Sequence, residues 1–500
     1  MLDTPAPLRH PDPATDAAIL LDHLMRAVHP QPRADHLWLL RLAVSSMLPT
    51  SDDVLATRRA FELLPRGDAA LWLVAQGLAD ASEGSPARHL EIVTGGVVVD
   101  VDQTAKHGLH TGIQQVVRRV APAWRAAHDP FFAAWTQRGS ALRALTASEE
   151  RRLLSWSTME GASTARDDQS AIEAADRDDT LRLVVPWRGT LVLPETPEIN
   201  SCDRLAALAE HSGNQVAAIG YDSIPITSAE LAPDGLADRF ARYLTVIKHC
   251  RRVVAISGSA AAEFQGFADM LPSQGLAGPA VSQCPLPTEG IEDPITERAT
   301  GTDPCAEPTV LCVGSLGPHK NQLALLFAAR SLWGDGHRFQ LRLIGGSSWD
   351  DEVPRQVSAL RGAGYPVTVE HKLSTPDLAR AYRTARFTVF ASLHEGFGLP
   401  VAESLACGTP VITSNFGATA EVGQSSGAVL VDPRDDDALI AAMRRLLVDD
   451  AELARLQQQT SGVARRSWAR YADDVWSHLV PATGSGGANG AASDESAARR

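Results

Sequence analysis

The stretch Leu393-His-Glu-Gly-Phe-Gly-Leu-Pro-Val-Ala-Glu403 decides the reading of this chain. It sets two carboxylates, Glu395 and Glu403, eight positions apart, with Gly396-Phe397-Gly398 and Pro400 between them. Upstream lies a strand-like run, Arg386-Phe-Thr-Val-Phe-Ala391. Downstream come Ala402, Ser404, Leu405 and Ala406, a stop at Gly408, and a second strand, Val411-Ile-Thr-Ser414. The order is strand, loop, helix, strand. Pro400 suits the first helical turn, where a missing N–H costs nothing. The amides of Gly398, Leu399 and Val401 are therefore expected to be unpaired and to point outward, backed by the positive end of the helix dipole. Such a terminus binds anions, phosphates above all. Read from the residues alone, the alternative is an ordinary α/β crossover with two solvated glutamates. The glycine turn, the proline and the flanking strands favour the binding loop.

Outward from this unit the same alternation continues. Thr309-Val-Leu-Cys-Val313, Leu341-Arg-Leu-Ile344, Val367-Thr-Val369 and Val429-Leu-Val431 read as strands, and residues 435–448 as a helix. An earlier α/β set starts near residue 91 with Val97-Val-Val-Asp100. It continues through Leu181–Val185, Gly189–Leu193, Val216–Ile219 and Arg252–Ile256, with a polar, variable region over 137–180. Pro285, Pro287, Pro294, Pro304 and Pro308 punctuate a linker between the two sets. Residues 14–80 show helical periodicity and no chemistry-bearing pattern. Alternating strands and helices imply parallel sheets. The expected class is α/β, with two Rossmann-like domains and a cleft between them. The expected divisions are a helical extension (1–90), a first domain (91–290), a linker (291–308), a second domain (309–460), a last helix (461–480) and a disordered tail (481–500).

Composition sets bounds. A chain of 500 residues exceeds one core. A net charge of −14 argues against non-specific nucleic-acid binding. Cys202, Cys250, Cys284, Cys305, Cys312 and Cys407 lack metal-type spacing, which fits reduced thiols. The start, Met1-Leu-Asp-Thr-Pro-Ala-Pro7, is neither basic nor apolar, and Leu37–Leu48 is too short to span a bilayer. A cytoplasmic protein is expected, with any contact to the inner membrane face peripheral.

Further candidate residues stand at strand ends, where parallel sheets bind ligands. After strand 309–313 comes Gly314-Ser-Leu-Gly-Pro-His-Lys-Asn321, in which Lys320 offers a point charge for a diphosphate. Ile344-Gly-Gly346 leaves room for a nucleotide or simply forms a turn. In the first set, Thr111-Gly112-Ile113-Gln114 marks a helix start, and Asp222 follows strand 216–219. Asp222 either orients a hydroxyl or caps a turn. Asp100-Val-Asp102 has the letters of a metal motif but lies in the first set.

The segment from Glu395 to Glu403 closely resembles the signature of the retaining nucleotide-sugar glycosyltransferases of family 4, where Gly-Phe-Gly-Leu-Pro follows the first of two glutamates. That family often carries Gly-Thr-x-x-Pro-Arg-Lys-Asn at the site of 314–321, so Lys320 and Asn321 match and His319 replaces an arginine. A subset has Thr-Gly-Ile-Gln, as at 111–114, with Arg where this chain has Gln115. Tyr221-Asp222-Ser-Ile-Pro225 resembles His-Asp-x-Ile-Pro, with Tyr221 in place of the histidine. The backbone of Glu370–Ser374 borders the base by the same resemblance.

The resemblance implies a GT-B fold, with the acceptor on the first domain (91–290) and the donor on the second (309–460), and transfer of a hexosyl group, for instance mannosyl or rhamnosyl, from a nucleoside diphosphate sugar to a glycan or lipid-linked acceptor. It implies retention of configuration and no metal or other cofactor. It assigns donor-sugar hydroxyls to Glu395, ribose hydroxyls to Glu403, and the sugar and diphosphate to the amides of Phe397, Gly398 and Leu399. Lys320 and Asp222 complete the catalytic set, and His319, Gly112 and Gly314 the donor-binding set. Two other readings stay open: a GT-B epimerase or hydrolase, and a non-catalytic sugar-nucleotide-binding protein.

Overall fold

Short apolar runs flanked by glycines form strands buried on both faces, as crossover connections require. The computed structural model describes residues 13–80, 89–108, 111–156, 182–287, 307–346, 351–371, 373–424, 427–460 and 466–481. The expected linker and tail fall largely outside these residues, as do positions 157–180 of the polar region, together with His110 and Lys372.

Four helices come first: α1 (Pro13–Val28), α2 (Ala34–Ser45), α3 (Ser51–Leu63) and α4 (Arg66–Asp80). They do not stand apart from the first α/β set. Met25, Leu37, Trp38 and Leu73 share one core with Val98, Trp135, Leu193 and Leu205. The first sheet comprises β1 (His89–Thr94), β2 (Val97–Asp100), β3 (Phe131–Trp135), β4 (Leu142–Ala144), β5 (Arg182–Trp187), β6 (Thr190–Leu193), β7 (Gln215–Gly220), β8 (Arg252–Ala255) and β9 (Ala280–Gln283). Its helices are α5 (Asp102–Lys106), α6 (Gly112–His128), α7 (Ala147–Leu154), α8 (Ile199–His211), α9 (Leu236–Ile247) and α10 (Gly258–Met270), with a single helical turn at Ile224–Thr227. The strand order is β1-β5-β4-β3-β2-β6-β7-β8-β9, parallel except where β4 pairs with β3 and β5.

β4 and α7 fall where the sequence suggests only a polar loop. The reason is a buried ion pair: Arg143 presents both terminal nitrogens to Glu149 at 2.7 Å. Glu149 also closes a capping box with Thr146. A fully buried arginine hides the strand from any apolar pattern.

The second sheet comprises β10 (Thr309–Val313), β11 (Gln340–Ile344), β12 (Val367–Glu370), β13 (Phe387–Phe390), β14 (Val411–Ser414) and β15 (Ala428–Val431). All its pairings are parallel, in the order β12-β11-β10-β13-β14-β15. Its helices are α11 (Gln322–Gly334), α12 (Glu352–Gly362), α13 (Thr375–Thr384), α14 (Leu399–Ala406), α15 (Gly417–Gly423), α16 (Asp436–Val448) and α17 (Asp450–Thr460). The last helix, α18 (Trp468–Leu479), returns to the first domain. There Tyr471, Val475 and Trp476 pack with Val116, Val120 and Trp124, and the Trp124 indole donates to the Ala472 carbonyl at 3.0 Å. Among the described residues, no helix is long and apolar enough to cross a membrane.

Candidate active site

The strand order of the second sheet reverses between β10 and β13. A doubly wound sheet opens a ligand crevice at the carboxyl ends of such a pair. The loop after β10 carries Lys320 and the loop after β13 carries Glu395, so both residues meet at the switch point. Lys320 Nζ lies 2.6 Å from Glu395 Oε1, with the side chains only 15% and 11% exposed. Backbone contacts join the two loops. Leu393 donates its amide to the His319 carbonyl at 2.8 Å, and Asn321 Nδ2 donates to the carbonyls of Ala391 (3.2 Å) and Pro433 (2.7 Å). Asn321 thus explains the Lys-Asn pairing as loop architecture.

Gly398 caps α14 with φ of +96°, and an added Cβ would lie 2.9 Å from the Thr419 methyl. A glycine is required there. The amides of Phe397, Gly398 and Leu399 have no hydrogen-bond partner among the described residues. The expectation for Val401 fails: its amide donates to the Gly398 carbonyl at 3.0 Å, because the tight cap already closes the first turn. Glu403 lies one turn in and accepts a hydrogen bond from the Tyr382 hydroxyl at 2.9 Å. Burial pushes its carboxyl up to about 7, against the Tyr382 hydroxyl and the Arg119 charge. Gly314 sits under the Phe390 ring. Gly345 serves backbone packing rather than a ligand, since a Cβ there would lie 1.8 Å from the Gly314 carbonyl. Burial and the neighbouring Lys320 charge hold the His319 imidazole below its ordinary pKa, so it is neutral at pH 7.

The first domain faces this loop at close range. An added Cβ on Gly112, at the start of α6, would touch the Leu399 side chain at 3.8 Å. Two helix amino termini, of α6 and α14, thus meet across the cleft. Asp222 accepts from the Ile224 amide at 3.2 Å, and Gly396 packs directly against it. Burial raises Asp222 to about 6, with Glu263 and Glu395 adding to the shift. Tyr221 does not replace a cleft imidazole, because its hydroxyl turns inward to donate to the Pro194 carbonyl at 2.7 Å.

The imidazole at the cleft comes from the other domain, at a position sequence reasoning passed over. His394 Nε2 lies 2.6 Å from Glu263 Oε1 on α10, and its Nδ1 lies 2.8 Å from Ser228 Oγ. Glu263 in turn accepts from the amide and hydroxyl of Ser223, both at 2.7 Å. Ser257 donates to the Gly396 carbonyl at 2.7 Å, and Glu421 on α15 receives the amides of Gly258 and Ser259 at the start of α10. The only sequence signal for this latch was that His394 adjoins Glu395.

The Glu263 hydrogen bond, with the charges of Glu263, Asp222 and Glu395, holds His394 above its ordinary 6.5, against burial. Its contribution is therefore full below about 6.5 and is lost as pH rises through the raised value. Replacing His394 by glutamine lowers stability by about 2 kcal/mol at pH 6, as for a hydrogen bond to a charged group. The deficit shrinks toward pH 9 in thermal unfolding compared pH by pH with the parent. A deficit that stays constant with pH would refute the ionic latch.

These loops lie in a segment that resembles a known family. Residues 296–462 match the family model of the glycosyl transferases group 1. Within the matched segment lie Lys320, Glu395, the open end of α14 and Glu403. The O-antigen chain mannosyltransferase B of Escherichia coli is 36% identical over 149 residues, 28% of this chain and 37% of that protein. The MMP alpha-(1->4)-mannosyltransferase of Mycolicibacterium hassiacum is 44% identical over 86 residues, 17% of this chain and 21% of that protein. The chain thus spans well under half the length of either relative. Sucrose-phosphate synthase from Thermosynechococcus elongatus superposes with a TM-score of 0.51 at 19% identity, over 78% of this chain and 97% of that one. That likeness shows the fold: the GT-B arrangement of two Rossmann-like domains, here with a helical extension in front.

Proposed function

We propose that this protein is a retaining, metal-independent glycosyltransferase of family 4 that moves a hexosyl group from a nucleoside diphosphate sugar to a glycan or lipid-linked acceptor. One observation carries the proposal. Three unpaired amides at the start of α14 lie beside the Lys320–Glu395 pair, with Glu403 one turn away. A helix end able to hold an anion with a cation beside it suits the diphosphate of such a donor, and the two carboxylates suit the hydroxyls of its sugar and ribose. A mannosyl group is favoured, because both relatives described above are named as mannosyltransferases.

In this reading the diphosphate lies against the α14 terminus and Lys320, which take up the charge that develops as the sugar–phosphate bond breaks. Glu395 releases Lys320 to the phosphate and turns to the sugar hydroxyls. The acceptor hydroxyl attacks the anomeric carbon on the face the phosphate leaves. A departing phosphate oxygen takes its proton, so no protein base is needed. Asp222 and Gly396, packed together, close the sugar side of the cleft and exclude water. The test is a donor panel of GDP-mannose, UDP-hexoses and dTDP-rhamnose, read by nucleotide release with a chelator present. Release from none of them, with and without glycan acceptors, would overturn the proposal.

Glu403→Ala weakens nucleotide binding at least tenfold with the fold intact, since two ribose hydroxyls lose their acceptor. Calorimetric titration of GDP and UDP reads this directly. Because Glu403 titrates near 7 in the empty site and hydroxyl donors favour its ionised form, parent affinity rises as pH passes upward through 7. Unchanged affinity in the variant would remove Glu403 from the donor site.

A further inference from the structure

The first sheet has its own reversal of strand order, and it lies apart from the donor cradle. β2 is flanked by β3 on one side and β6 on the other, so a second crevice is expected at their carboxyl ends. A pocket of about 240 Å³ opens there, lined by α5, the turn after β3 and the start of α8. Among the described residues, none of the second domain lines it. Its walls are built from held groups. The Trp135 indole donates to Asp100 at 2.8 Å and the Trp135 amide to Asp102 at 2.7 Å. Asp102 also pairs with Lys106 at 2.7 Å, both side chains nearly buried at 8% and 12% exposure. Opposite, Gln103 donates to Glu198 at 2.5 Å, and the Asn200 amide has no partner among the described residues.

We propose that this pocket holds one neutral sugar ring of the acceptor. The inference rests on the reading of the protein as a glycosyltransferase and adds the acceptor's chemical class. The volume lies below the roughly 300–1,000 Å³ typical of drug-sized sites, which limits it to a single ring. The lining alternates donors (Lys106, Asn200) with acceptors (Asp102, Glu198), the set that vicinal hydroxyls need. Lys106 is already paired with Asp102 at 2.7 Å, and Arg239 with Glu198 at 3.5 Å, so the cations at the pocket are committed to carboxylates, which disfavours a phosphate. The positive end of α8 does not reverse this, because Glu198 is its N-cap residue and brings a carboxylate to that end. The pocket is also within reach of the transfer point. His107 lines it, and Gly112, which meets Leu399, lies five residues on. That separation cannot exceed about 18 Å for an extended chain. A ring held here directs the next sugar of a chain toward the donor.

The full-length protein is titrated with methyl α-D-mannopyranoside, methyl α-D-glucopyranoside and mannose 6-phosphate, with binding read by saturation-transfer NMR. At least one methyl hexoside is expected to bind, and mannose 6-phosphate at least fivefold more weakly than the methyl mannoside. Asn200→Trp, at an exposed helix start, fills the pocket and lowers hexoside binding at least tenfold. Lys106→Met is the second variant and has the same sign. GDP and UDP titrations on the same samples report the donor site independently. Hexoside binding untouched by both variants, no hexoside binding in the parent, or tighter binding of the phosphorylated sugar would each overturn the inference. Loss of nucleotide binding by the parent would instead sink the glycosyltransferase reading.

Discussion

Lys320→Ala lowers turnover by about 10²–10³-fold, the loss typical when one preorganised charge is taken from a developing anion. The variant removes the cation that would meet the leaving diphosphate. It also leaves Glu395, 11% exposed and 2.6 Å from that ammonium in the parent, without a counter-charge. A buried carboxylate stripped of its partner carries its desolvation cost alone, so some loss of thermal stability accompanies the loss of rate. Lys320→Arg restores the charge but not the fit, because a planar fork does not replace a point donor in this space. Nucleotide-release kinetics separate the effects: kcat falls far more than donor affinity. A normal rate in Lys320→Ala would assign the whole charge to the α14 terminus.

Gly396→Ala has a comparably large effect by a different route. An added Cβ would lie 2.5 Å from the Tyr221 carbonyl and 3.1 Å from Asp222 Oδ2. The first of these atoms is backbone of the opposite domain and cannot step aside. The methyl group acts as a wedge at the point where Ser257 holds the Gly396 carbonyl and where His394 meets Glu263. Each domain keeps a large core of its own, while Phe397 and Ala402 belong to a cluster shared with Val116 and Tyr221 of the first domain, so the wedge loosens that shared contact and the domains are expected to stand further apart in solution. Small-angle scattering then shows a larger radius of gyration. Turnover falls about 100-fold or more, as expected when reacting groups are displaced by an ångström. Nucleotide binding persists, since Glu403 and Lys320 lie on one domain. An unchanged radius with an unchanged rate would show that the cleft works without this contact.

The second sheet was the more legible in sequence. β10, β11, β13 and β14 are short apolar runs between glycines, prolines and polar loops, and the loops that follow β10 and β13 announce themselves by lysine, glutamate and glycine. The first sheet hides its margins. β9, Ala280-Val-Ser-Gln283, lies at an edge, where alternation weakens, and β4 buries an arginine. The site divides the same way. Glu395, Lys320 and Glu403 could be read as candidates because each stands at a fixed offset within one loop or helix start. His394 and Glu263 are 131 positions apart, and no local pattern ties them. For the same reason only the fold shows that the Tyr221 hydroxyl points away from the cleft.

The return of α18 to the first domain has a mechanical meaning. The chain passes from one domain to the other after β9 and back again before α18, so two covalent tethers join the domains. A single tether would let the domains drift at the reach of one segment. Two tethers keep each domain at a higher effective concentration at the face of the other, so the two halves of the cleft meet again after any separation without a bimolecular search.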